Sequence, residues 1–65
     1  MTEYSNTGII HVIEEYIHDK TVRNMLLDRL VDGLTYNELA EKYGYSVRQM
    51  QRIIYKYQNE IFKHL

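Results

Sequence analysis

The 65-residue chain contains no cysteine, no proline and no tryptophan, and only three glycines. Without cysteine there is no disulfide staple, no thiolate metal ligand and no thiol nucleophile. Without proline, and with glycine confined to positions 8, 33 and 44, little in the sequence interrupts helices. Long apolar runs are missing as well: Met25-Leu26-Leu27 is typical of the longest, which excludes a bilayer-spanning helix. The start of the chain lacks a basic region followed by an apolar stretch, so secretion is not expected and a cytoplasmic protein is. Nor is there an excess of charge of either sign, since eight Lys and Arg face nine Asp and Glu for a net charge of −1. That balance, with 45% apolar residues, excludes a disordered chain. No repeat, low-complexity tract or linker divides the sequence, so residues 1–65 form one domain, with residues 1–7 expected as a disordered tail. A chain this short buries only ~60% of its unfolded surface, which leaves one small core.

What is present is helical periodicity. Ile9, Ile10, Val12, Ile13, Tyr16 and Ile17 share one face of a first helix, with Glu14, Glu15 and His18 mainly off it. Val22, Met25, Leu26 and Leu30 form a second face that is out of phase with the first. The phase jump near residue 20 separates two helices, with Asp19 or Thr21 as the second N-cap and Gly33 as a left-handed stop. Thr35-Tyr36-Asn37-Glu38 has the spacing of a capping box and starts a third helix that buries Leu39, Ala40 and Tyr43. Ser46-Val47-Arg48-Gln49 has the same spacing and starts a fourth, along which Val47, Met50, Ile53, Ile54, Tyr57 and Ile61 recur at helical intervals. The expected fold is all-α, with four helices and no strand.

The third and fourth helices carry the functional pattern. Close crossing of two helices through a short turn requires a small residue, and Ala40 is the only alanine in the chain. The turn requires a residue tolerant of positive φ, which Gly44 supplies. Leu39, Met50 and Ile53 fill the wedge between them. The segment Gly33-Leu34-Thr35-Tyr36-Asn37-Glu38-Leu39-Ala40-Glu41-Lys42-Tyr43-Gly44-Tyr45-Ser46 resembles bacterial helix-turn-helix domains, first region four of sigma factors and next the output domains of LuxR-type regulators. The resemblance spans roughly residues 22–57, with the motif itself at 35–55. It implies a tri- or tetrahelical domain with Tyr36–Tyr43 as supporting helix and a recognition helix, starting at Ser46, that enters the DNA major groove. Relatives are parts of longer proteins and have a shorter last helix. The expectation here is therefore a small stand-alone regulator of the kind phages and mobile elements encode.

The chemistry of the outward residues fits that expectation. Arg can bond guanine O6 and N7 bidentately, and Gln can do the same to adenine. Val47, Arg48, Gln51, Arg52 and Tyr55 are the expected base contacts, four of them in one stripe at i, i+3, i+4 and i+7. Thr35, Tyr36, Tyr45, Ser46 and Lys56 are the expected phosphate contacts. Charge is divided accordingly: residues 1–44 hold four basic and eight acidic side chains, net −4, whereas residues 45–65 hold four basic and one acidic, net +3. A basic helix on an acidic support suits specific rather than indiscriminate binding to double-stranded DNA.

So few phosphate contacts make a monomer weak, which points to a homodimer. Ile54, Tyr57, Ile61, Phe62 and Leu65 extend an apolar stripe that either packs on the chain's own N-terminal helix or forms that dimer's contact. A protein-interaction module that binds RNA polymerase, another regulator or a host protein is the alternative. Other chemistry finds little footing. His11 and His18 lie two helical turns apart, too far for adjacent metal ligation, and His64 is remote in sequence, so no metal is expected. Glu14 and Glu15 point in different directions, and no catalytic triad, phosphate-cradling loop or nucleotide fingerprint occurs. Neither an enzyme nor a cofactor is expected. Tyr16, Tyr43 and Tyr57 are expected at the edges of the core, and Tyr4 in the tail.

Overall fold

A computed structural model describes residues 6–64. It contains four helices, α1 (Asn6–Tyr16), α2 (Lys20–Leu30), α3 (Tyr36–Tyr43) and α4 (Val47–Lys63), and no strand among the described residues. The chain is all-α. α1 begins at Asn6, so positions 6 and 7 of the expected tail are helical; residues 1–5, Tyr4 included, lie outside the described residues.

The break between α1 and α2 has a local and a distant cause. Asp19 is the N-cap of α2, and its carboxylate accepts from the Val22 amide at 3.1 Å. No glycine or proline ends α1; instead Arg23, one turn into α2, turns its guanidinium back onto α1. Its Nε donates to the Ile17 carbonyl at 2.5 Å and its Nη2 to the Glu14 carbonyl at 3.1 Å. These occupy carbonyls that the helix end leaves without partners, and a cation suits the negative end of the helix dipole.

α2 stops at Leu30, and Gly33 at φ +77° lets the chain turn so that the Leu34 amide donates to the Asp28 carbonyl at 3.0 Å. Both capping boxes form reciprocally. The Glu38 amide donates to Thr35 Oγ1 at 3.1 Å while the Thr35 amide donates to Glu38 Oε1 at 2.8 Å. Likewise the Gln49 amide donates to Ser46 Oγ at 3.1 Å and the Ser46 amide to Gln49 Oε1 at 3.0 Å. Between these caps Gly44 takes φ +76°, and the amides of Gly44 and Tyr45 both donate to the Ala40 carbonyl, at 2.9 and 3.0 Å.

The core draws on every helix: Ile13 from α1, Met25 and Leu26 from α2, Leu39 from α3, and Met50, Ile54 and Ile61 from α4 are all fully buried. Burial of this kind is worth ~1.5–3 kcal/mol for each large side chain. One charged group joins it. Asp28 is 9% exposed and accepts from Lys42 Nζ at 2.7 Å and Tyr43 Oη at 2.6 Å, which ties α2 to the end of α3.

Of the two readings of the apolar stripe, Ile54 and Ile61 follow the first, packing within the chain, and neither is open to a dimer contact: both have no exposed surface, because α4 folds its far half onto the chain's own core. Tyr16, expected at the core edge, is 49% exposed and stacks on His64 with ring centroids 3.9 Å apart and planes 6° apart. It sits at the last turn of α1, where its helix position faces the end of α4. Tyr43 and Tyr57 are half-buried against the core, as expected.

Candidate nucleic-acid interface

The two reciprocally capped helices present the outer face of α4 beside a three-residue turn. Because Met50, Ile54 and Ile61 face inward, the opposite side of α4 carries Arg48, Arg52, Tyr55 and Lys56, all exposed. Gln51 is half-buried at one edge of this face. Val47, expected to contact bases, is instead half-buried and packs against the core, as its place in the apolar repeat of α4 dictates. Asn59, one turn beyond Tyr55, is exposed on the same side, although the polar stripe read from the sequence stops at Tyr55. Continuing the i+4 and i+7 spacing from Tyr55 and Arg52 would have found it, since Asn can bond adenine as Gln does.

The flanks of this face differ. On one flank Tyr36, at the start of α3, meets Tyr55 edge-on, with centroids 6.0 Å apart and planes at 70°. On the other flank Arg52, Lys56, Tyr45 and Tyr57 line an open groove of about 400 Å³ between the start of α2 and α4, together with Val22, Met25 and Ile53. The structure thus gathers Tyr45 and Lys56, expected on phosphate, with Arg52, expected on a base. Thr35 and Ser46 are also at the surface, but each hydroxyl oxygen accepts a capping hydrogen bond. Capping at Ser46 leaves the Val47 and Arg48 amides at the start of α4 without an intrahelical acceptor.

Electrostatics sharpen the contrast between α4 and its support. Arg23 is engaged by the α1 carbonyls; Arg29 donates to the Leu34 carbonyl at 2.8 Å; Lys42 pairs with Asp28. Arg48 and Arg52 make no hydrogen bond or ion pair with the described residues. Three cations outside α4 are therefore engaged within the chain, whereas Arg48 and Arg52 on α4 face solvent. Among the described residues, the groups with shifted titration, Asp28 on α2 and Tyr43 on α3, are not on α4. Burial alone would raise the Asp28 pKa, but the hydrogen bonds from Lys42 and Tyr43 and the Lys42 charge outweigh it and lower the value below the usual 3.8. Burial, then the hydrogen bond to Asp28 and its charge, push the Tyr43 phenol up to about 12.

Of the residues assigned to a dimer contact, Tyr57 is half-buried, Phe62 is 40% exposed and Leu65 lies outside the described residues. Among the described residues no group of three or more His, Cys, Asp or Glu is placed to hold a metal ion, and no helix is long and apolar enough to cross a membrane. No protein-family model, curated protein or solved structure matches the chain.

Proposed function

We propose that the chain is a sequence-specific, double-stranded DNA-binding regulator of transcription, of the helix-turn-helix class, that acts in the cytoplasm as a homodimer. α4 enters the major groove; Arg48, Gln51, Arg52 and Tyr55 contact base edges, and Tyr45, Lys56 and the start of α4 meet phosphates. The observation that carries this is the pair of unpaired arginines on the outer face of a helix whose start is fixed by a capping box and a left-handed glycine. Guanidinium groups of that kind, four residues apart on one helix face, suit bidentate contact with guanine.

Ile54 and Ile61 lie in the core, so in this reading the dimer contact draws on the exposed part of the end of α4, Phe62 included. A two-fold dimer presents two copies of α4 to half-sites about one DNA turn apart. Selection of bound duplexes from a random pool tests the proposal directly, and an inverted repeat with centres ~10 bp apart is expected. Arg48→Ala and Arg52→Ala are each expected to weaken specific binding by ~1–3 kcal/mol while leaving the helical circular dichroism intact. Failure to retain any duplex at low salt would turn the search towards a protein partner.

A further inference from the structure

Three side chains link α2 to the outer face of α4. Arg29 is held by its hydrogen bond to the Leu34 carbonyl, and its guanidinium carbon lies 4.4 Å from the centroid of the Tyr36 ring. Tyr36 in turn meets the Tyr55 ring at 6.0 Å and 70°. Both contacts fall within the ranges in which a cation attracts a ring face and one ring attracts another edge-on. Arg29 and Tyr36 are half-buried, whereas Tyr55 is 54% exposed. An exposed tyrosine on a helix ordinarily samples several rotamers, and ordering it on binding costs free energy. Here a neighbouring ring, itself anchored, restricts that choice before any partner arrives.

The Tyr55 ring stands in the stripe with Arg48 and Gln51. In the major groove the apolar group that such a ring meets is the 5-methyl of thymine. Building on the proposed DNA-binding role, we infer that Tyr55 reads a thymine methyl group. Tyr36, backed by Arg29, is the positioning residue that holds the Tyr55 ring for that contact. Tyr36 then acts through its ring, not through a hydroxyl on phosphate as its sequence position alone suggests.

The test uses the selected duplex and a copy with deoxyuridine at each selected thymine in turn, which removes only the methyl. The full-length chain is expected to bind one such copy about fourfold more weakly, as loss of one buried methyl-sized group requires. Tyr55→Ala and Tyr36→Leu abolish the discrimination, whereas Tyr36→Phe retains it. In the free protein the Tyr55 ring-proton signals shift in Tyr36→Leu and stay near their original positions in Tyr36→Phe.

Several outcomes overturn the inference. Discrimination that survives Tyr55→Ala places the methyl contact elsewhere, and unmoved Tyr55 signals in Tyr36→Leu deny the positioning role. A Tyr36→Phe protein that weakens on every duplex alike makes Tyr36 a phosphate ligand. Should Tyr36→Leu fail to fold, Arg29→Gln, which removes the cation behind the Tyr36 ring, takes its place with the same two readouts. Specific binding that ignores every methyl sinks the thymine contact alone; absence of binding to any duplex sinks it together with the DNA-binding proposal.

Discussion

Asp28 shows how one side chain can be costly to bury and still hold the fold together. Its carboxylate is almost out of water, yet two donors from adjacent residues of α3 converge on one oxygen. Because its pKa is lowered in the folded protein, its contribution is full above the unfolded value of 3.8 and is lost as pH falls through the lower folded one. Tyr43 works in the opposite direction. Its folded value of about 12 exceeds the unfolded 10.0, so its contribution is full below 10.0 and disappears as pH rises towards 12. Thermal unfolding followed from pH 2 to 7 and from pH 9 to 12 checks both limbs. Asp28→Asn should flatten the acid limb, and Tyr43→Phe should remove its share of the alkaline one. Gly44 is a purely conformational case. A Cβ built there meets nothing within 4 Å, so Gly44→Ala tests only the cost of φ +76° in an L-residue. Denaturant titration should show a loss of ~1–2 kcal/mol, with Gly44→Asn losing less.

Among the helices, those with short-range punctuation are the ones whose limits sequence makes plain. Thr35 with Glu38 and Ser46 with Gln49 lie three residues apart, and a cap of that span leaves its whole pattern in the local sequence. The same holds for the Gly44 turn, and hence for the start of α4 and the side it exposes. The α1–α2 junction is harder to read because Arg23 reaches back six and nine residues to the carbonyls it satisfies, a pairing no periodicity encodes. Tyr36 is only partly legible for a related reason. Its position at the first turn of α3 suggests a phosphate ligand, while the contacts that define it come from Arg29 and Tyr55 on two other helices. The stripe along α4 is legible as apolar, but whether Ile54 and Ile61 serve a core or a partner depends on where α1 and α2 lie. Two substitutions separate the local from the distant device. Ser46→Ala should cost ~1 kcal/mol through loss of the N-cap, and Arg23→Gln should cost ~1–2 kcal/mol by stripping the end of α1 of its charged donor. Hydrogen exchange distinguishes them, since the first should loosen amides at the start of α4 and the second those at the end of α1.

At the scale of the molecule, the overall charge of −1 conceals a division of labour, and the far half of α4 shows how it is held in place. That half must be stapled to the rest of the chain if α4 is to keep one orientation, and Ile61 in the core with His64 against Tyr16 provides the staple. A staple within one chain and a contact between two chains make opposite predictions about concentration. Ile61→Val removes one methyl from a fully buried site and should cost ~1 kcal/mol, lowering the Tm of a domain this small by ~4–8 °C. Since the contact is intramolecular, that shift should be the same at 5 and at 500 μM protein (concentrations on the order of those that separate a bound from a dissociated dimer). Phe62→Glu should behave differently. Phe62 is 40% exposed near the end of α4, and the substitution places a charge where the dimer contact is proposed, so light scattering should report monomers. DNA binding by that variant should then fall towards the affinity of one half-site, with a shallower dependence on salt because fewer phosphates are neutralised. A Tm shift in Ile61→Val that grows on dilution would move Ile61 back into an interface, and the orientation of α4 would then depend on a second copy of the chain.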